Sequence, residues 1–236
     1  GLLPVCFGEA TKFSSVLLGA NKTYETTLKL GFMSTTGDME GEISQVAATV
    51  PNPAFSECEH ALQNFIGPIM QTPPMYSALK HQGKPLYAYA RSGEIIERQA
   101  REIIIHGIQV RSLLHNELQL NIQCGTGTYI RTLAEDIGKA LGCGGAYLLS
   151  LRRTAIDRFQ VTQAHKLSAL EEMNASERDA CLLPVDCLLQ AYPAVTLNDQ
   201  SALLLQQGRT VECQPDSNAM PAGEVIRLYN RQHFMG

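Results

Sequence analysis

No apolar run in this 236-residue chain approaches the roughly 20 residues that a membrane-crossing helix requires, and no charged leader precedes a cleavable signal. A cytoplasmic protein without a membrane partner is the expectation. Paired cysteines are also missing. The seven present (Cys6, Cys58, Cys124, Cys143, Cys181, Cys187 and Cys213) are an odd number, widely spread, with no Cys-x-x-Cys spacing. That pattern argues against a disulfide framework and against a zinc site, and for reduced, mostly buried thiols. Internal repeats and low-complexity tracts are lacking as well. Positive charge is in short supply: the net charge is -4 and the pI is near 5.9, so any nucleic-acid function has to rest on local patches. What remains is ordinary globular composition, 44% hydrophobic and 18% charged. Such a chain buries a core, as one large domain or as a domain plus a small module.

The most informative stretch runs through residues 118–141. Leu118, Leu120 and Ile122 alternate with Gln119, Asn121 and Gln123, the period of a strand with one buried face. Gly125 and Gly127 then allow a tight turn that Thr126 or Thr128 can cap. Beyond it Ile130, Leu133, Ile137 and Leu141 fall three or four apart, which predicts a helix closed by Gly142-Cys143-Gly144-Gly145. Arg131 falls in the first turn of that helix, where the dipole disfavours a cation. An anionic partner is expected to face it; the alternative is an exposed pair with Glu135 at i+4.

The rest of the chain reads as follows. Residues 10–18 suggest a short helix, and residues 22–30 a strand by their β-branched and aromatic content. Residues 31–42 read as a polar loop and residues 56–66 as an amphipathic helix with Ala61, Leu62, Phe65 and Ile66 as its apolar side. Pro73-Pro74 makes residues 71–77 extended, and a short helix follows over 84–93. Residues 99–111 and 117–124 pair as a hairpin. Residues 146–151 are open to helix or strand, and 151–159 lead into a strand. Residues 167–189 are mainly helical, with Pro184 interrupting. Tyr192-Pro193 marks a boundary, so residues 1–190 form one domain and 191–236 a small β module.

Two segments combine charge with aromatics. Residues 71–93 hold Tyr76, Tyr87 and Tyr89 among Lys80, His81, Lys84 and Arg91, a mixture suited to unstacked bases and phosphates, or to a solvated loop. Arg152, Arg153 and Arg158 form a second cluster, suited to phosphates or to guarding an exposed strand edge. Tyr24 reads by default as a core tyrosine with a satisfied hydroxyl. Asp38 sits in a Gly-Asp-Met-Glu-Gly loop whose spacing does not match a calcium site, and a loop-stabilising role is preferred.

Taken in order, these segments resemble the TruB-type tRNA pseudouridine synthases over essentially the whole chain. The matching residues are Gly1-Leu2-Leu3-Pro4, Lys22-Thr23-Tyr24, Leu30-Gly31, Thr36-Gly37-Asp38, residues 73–80 (Pro-Pro-Met-Tyr-Ser-Ala-Leu-Lys), Gly127-Thr128-Tyr129-Ile130-Arg131 and Leu151-Arg152-Arg153-Thr154. The resemblance implies an α/β (α+β) pseudouridine synthase fold with a mixed, mainly antiparallel central sheet. Residues 191–236 look like part of the PUA module that such enzymes carry. It further implies isomerisation of uridine 55 in the tRNA TΨC stem-loop by base flipping and an aspartate nucleophile, with no cofactor and no metal, by a monomer acting on tRNA. Tyr24 would stack on the flipped uracil and stand near the C5 proton, and Arg131 would pair with the nucleophile. Tyr129 and Leu151 would line the pocket, with Lys22 beside it and Tyr76 in the same substrate-binding set. Lys80, Arg152 and Arg153 would contact the RNA backbone.

One departure matters. The family nucleophile lies in a Gly-Thr-Leu-Asp-Pro-type motif just upstream of Gly-Leu-Leu-Pro, and this sequence opens at Gly1-Leu2-Leu3-Pro4. The expectation is therefore of an enzyme whose amino-terminal region and module end lie outside the chain, which as given turns over no substrate. Alternatives are a dyskerin-like, guide-dependent synthase, disfavoured by the lack of a long basic tail, and a non-catalytic tRNA-binding or tRNA-folding protein.

Overall fold

The computed structural model describes residues 1–47, 53–212 and 223–236, which fall into two compact units. The first comprises Gly1–Leu3 and Gly19–Ala164. In chain order it contains β1 (Lys22–Leu30), β2 (Phe32–Ser34), β3 (Ile43–Gln45), α2 (Phe55–Gln63), β4 (Gly67–Gln71), β5 (Lys80–His81), β6 (Lys84–Pro85), α3 (Leu86–Arg91), β7 (Arg101–Leu114), β8 (Glu117–Cys124), α4 (Ile130–Ala140), β9 (Ala146–Ile156) and β10 (Phe159–Gln160). The helix α1 (Ser15–Gly19) precedes them. Six strands form one sheet in the order β10-β9-β1-β8-β7-β4, every neighbouring pair antiparallel.

Alternation in β1 and β8 is what builds the core. Leu28 and Leu30 stand on the same side as Leu118, Leu120 and Ile122, and helices α2 and α4 cover that side with Cys58, Leu62, Leu133 and Ile137. Complete burial of Leu133 or Ile137 contributes about 1.5–3 kcal/mol each. The helix α4 ends as its glycines require: Gly142 takes φ 71°, its N–H donates to Lys139, and the Cys143 N–H donates to Gly138. Gly138 itself lies so close to β9 that a Cβ there would run into the Gly145 carbonyl. The hairpin β7–β8 turns at His115-Asn116, with His115 at φ 53°. Both tyrosine-bearing and arginine-bearing segments are thereby anchored to one sheet.

The second unit comprises Pro4–Leu18 and His165–Gly236. It holds α1, α5 (Leu167–Glu172), α6 (Ala175–Ala180), β11 (Ala194–Leu197), α7 (Asp199–Gln206), β12 (Arg227–Asn230) and β13 (His233–Phe234). The three strands make a small sheet around Val195, Leu197 and Ala202, and Asn198 caps α7 by accepting from the Ser201 N–H at 2.8 Å. The β module expected over 191–236 has its first strand at Ala194, while residues 213–222, including Cys213, lie outside the described residues.

Differences from the sequence reading are local. Residues 31–42 are not all loop, because β2 pairs with β3; strands of three residues carry too few positions for a period to show. The helix expected over 10–18 is a 3-10 turn, Gly8–Phe13, followed by α1. The helix expected from residue 84 begins at Leu86, since Lys84–Pro85 pairs back on Lys80–His81 through Gln82 and Gly83, both at positive φ. Residues 146–156 are strand throughout.

Candidate active site

Arg131 is the second residue of α4, and its guanidinium is met from two loops. Nη1 lies 3.2 Å from Asp38 Oδ2 and donates to the Thr36 carbonyl at 3.2 Å, while Nη2 donates to the Tyr76 carbonyl at 2.6 Å. The anionic partner expected from helix electrostatics is thus Asp38, not Glu135, which pairs with Lys139 at 2.6 Å. Asp38 also holds its own loop, accepting from Thr36 Oγ1 and from the Glu40 N–H through Oδ1. That loop is fixed to β9 by the Leu148 N–H, which donates to the Gly37 carbonyl. Gly37 has φ 81°, and a Cβ there would stand 3.0 Å from Cβ of Arg131, so only glycine lets the loop approach so closely.

The helix start is held by a residue the sequence reading passed over. Neither Thr126 nor Thr128 is the N-cap; Tyr129 is, in extended conformation and with no capping side chain of its own. Its peptide is grasped by Gln71, the last residue of β4 and 2% exposed. Gln71 Oε1 accepts from the Tyr129 N–H at 2.8 Å, and Nε2 donates to the Tyr129 carbonyl at 3.1 Å. From β7, Arg101 donates to the Gly127 carbonyl at 3.2 Å and stacks over the Tyr129 ring at 5.5 Å. Gln71 and Arg101 left little trace in sequence, and Asp38 was read as a loop stabiliser but not as the partner of Arg131, because each acts through a partner far along the chain. The only sign for Gln71 is a polar residue ending an apolar run just before Pro73.

A second group gathers on β1. Tyr24 pairs with Ile122 on one side and Arg153 on the other, packs against the main core, and is half-buried. Burial raises its phenol pKa, with Cys124 adding and a hydrogen bond from Arg153 opposing. Lys22 donates to the Ala20 carbonyl at 2.6 Å, and burial lowers its pKa. The Cys124 thiol is pushed up by burial. Arg153 also braces the first residues: its carbonyl accepts from the Leu2 N–H at 2.7 Å and its Nε donates to the Leu2 carbonyl at 2.9 Å.

Register settles which residues share a face. Leu151 pairs with Thr26 and Arg153 with Tyr24, so Leu151, Arg153 and Tyr24 stand on one side of the sheet. Arg152, paired with Glu25, points to the other side. Arg152 and Arg153 therefore do not form one contiguous patch. Lys80 is exposed on the β5–β6 hairpin, and Tyr76 enters the Arg131 cluster through its carbonyl. Since β8 ends at Cys124 and passes through the glycine turn into α4, the Tyr24 group and the Arg131 group occupy the same end of the sheet.

Comparison with known proteins accounts for this pairing of elements. The family model of the TruB pseudouridylate synthase N-terminal domain matches residues 1–130, and that of the tRNA pseudouridylate synthase B C-terminal domain matches residues 131–190. The chain belongs to the TruB family of pseudouridylate synthases. Among TruB relatives, tRNA pseudouridine synthase B of Nitrosospira multiformis is 53% identical over all of this chain and 77% of its own length. That of Nitrosomonas europaea is 48% identical with the same coverage. Among solved structures, a Cbf5-Nop10-Gar1 complex superimposes with a TM-score of 0.68 at 20% identity, covering 99% of this chain and 64% of the other. A box H/ACA particle bound to a substrate RNA containing 2'-deoxyuridine gives 0.67 at 17%, covering 97% of this chain and 62% of the other. At those identities the likeness is one of fold, and the fold is that of the pseudouridine synthases.

Proposed function

We propose that this protein isomerises uridine 55 in the TΨC stem-loop of tRNA to pseudouridine, without a guide RNA. The observation that carries the reading is the Arg131 guanidinium, held by Asp38 and Tyr76 in a chain of the TruB family. Isomerisation breaks the bond from C1′ to N1, forms one from C1′ to C5, moves the C5 proton away and returns a proton to N1. It calls for a carboxylate nucleophile, a pocket that keeps the loose base, and a route for one proton.

In this reading the nucleophile is an aspartate of the family's Gly-Thr-Leu-Asp-Pro-type motif, and none of the aspartates in residues 1–236 stands in such a motif. Leu2 is bound to Arg153, the register partner of Tyr24, which ties the first residues to the Tyr24 group. Arg131 keeps that aspartate ionised. Tyr24, a phenol neutral at neutral pH and held further in that form by burial, stacks on the extruded uracil, which returns about 1–3 kcal/mol of the unstacking cost. Leu151 and Tyr129 close the pocket, with Lys22 beside it and Tyr76 in the same substrate-binding set. Lys80, Arg152 and Arg153 serve the RNA backbone, and the three-stranded sheet with α7 serves as a PUA-like module. The enzyme acts as a cytoplasmic monomer.

The test is tritium release from C5-labelled uridine in a tRNA transcript by the full-length enzyme. Release without added guide is expected, and Arg131→Met is expected to cut turnover far more than tRNA affinity. Tight binding without release would instead indicate a tRNA-binding or tRNA-folding protein.

A further inference from the structure

Gln71 is a buried amide that the proposed chemistry does not use, yet it is the residue most fully committed to the start of α4. Both polar groups of the Tyr129 peptide are bound to it, at 2.8 and 3.1 Å, and only 2% of its surface is exposed. The Tyr129 carbonyl already accepts the first helical bond, from the Leu133 N–H at 3.1 Å, so Gln71 adds a second donor to an oxygen that was satisfied. The Tyr129 N–H, at the helix start, has no intrahelical acceptor and Gln71 Oε1 supplies one, but the second bond, to the carbonyl, is not needed for that. What the clasp adds is position. Gln71 pairs in register with Arg101, whose guanidinium reaches the Gly127 carbonyl and the Tyr129 ring. The edge strand β4 and its neighbour β7 thus both hold residues 127–129. Arg131 lies two residues further on, and the Tyr76 carbonyl that it binds lies five residues after Gln71.

We propose that Gln71 is a positioning residue for the isomerisation: its carboxamide, clasping the Tyr129 peptide, sets where the Arg131 guanidinium and the Tyr129 ring stand against the uridine. This rests on the function proposed above. Only a group that donates and accepts at one end of a side chain of this length can make both bonds. Methionine fills the space and makes neither. Glutamate accepts when ionised, but both its oxygens then face a peptide that offers one donor and one acceptor; protonated, it restores both bonds. Its register partner Arg101 is a cation, which favours the charged form, and near-complete burial disfavours it.

The experiment is single-turnover tritium release from C5-labelled tRNA by full-length wild type, Gln71→Met and Gln71→Glu, across pH 5 to 8.5, with tRNA affinity measured in parallel. Gln71→Met is expected to lower the rate by about 10- to 100-fold at every pH, with affinity changed by less than about threefold. The Gln71→Glu rate, divided by that of wild type, is expected to climb as pH falls. A rate for Gln71→Met within twofold of wild type overturns the proposal, as does a Gln71→Glu deficit that is flat with pH. Should Gln71→Met fail to fold, the Gln71→Glu profile decides. Should wild type itself release no tritium, the functional reading has failed. Gln71 is then judged by hydrogen exchange at the Tyr129 amide: exchange in Gln71→Glu that slows to the wild-type rate at low pH keeps the clasp, and exchange indifferent to pH removes it.

Discussion

Asp38 shows how much a single carboxylate can be asked to do. One oxygen closes its own loop and the other meets Arg131, at a site where the two side chains are 29% and 25% exposed. That exposure places the pair between a solvated ion pair, worth about 0–1 kcal/mol, and a dry one, whose disruption costs about 3–5 kcal/mol. Asp38→Asn retains an acceptor for Thr36 and Glu40 but removes the charge. Turnover is expected to fall by about tenfold or more, with a smaller change in tRNA affinity, because the guanidinium loses the partner that aims it. Steady-state kinetics beside a binding isotherm would check this, and equal losses in both would count against it. From sequence, the need for an anion near Arg131 followed from its place in the helix, but the anion's identity did not. Asp38 and Arg131 are joined by no helical spacing, and only the packing of the Gly37 loop on β9 brings them together. Gln71 was harder still, since a buried amide looks like any other glutamine until its partner is known.

At the level of elements, strong periods translated well and short ones did not. The strand expected over residues 22–30 is β1, and the helix stripe Ile130, Leu133 and Ile137 is the buried side of α4. The β2–β3 and β5–β6 pairs were missed because two- and three-residue strands are defined by their partners, not by alternation. Within α4, burial raises the carboxyl pKa of Asp136, with Lys139 opposing and Glu135 adding. The folded state therefore holds this proton more tightly than the unfolded chain. Its contribution to stability is complete below the ordinary value of 3.8 and is lost as pH rises through the folded value. Asp136→Asn is thus expected to melt higher than wild type at pH 7, on the order of 1–2 °C. The advantage should vanish toward pH 4. Scanning calorimetry at both values tests the sign; a difference that does not depend on pH would mean the carboxyl is not the cause.

For the molecule as a whole, the net charge of -4 leaves RNA binding to local cations. Affinity for tRNA should fall log-linearly with salt, losing about 0.7–0.9 of slope for each phosphate neutralised. Lys80→Gln, on the exposed β5–β6 hairpin, is expected to reduce the slope by about that amount, as salt titrations of wild type and variant would show. An unchanged slope would remove Lys80 from the RNA contacts.

The sheet also dictates an order of assembly. The β7–β8 hairpin closes through the two residues His115 and Asn116, whereas β1, between β8 and β9, must find strands about a hundred residues further along the chain. Loop-closure entropy therefore favours the hairpin first and leaves the tyrosine strand to dock late. The chain acquires the segment that carries Arg131 before the strand that carries Tyr24 settles. Until β1 arrives, the open edge of β8, lined by Leu118, Leu120 and Ile122, is the stretch most exposed to pairing with another molecule.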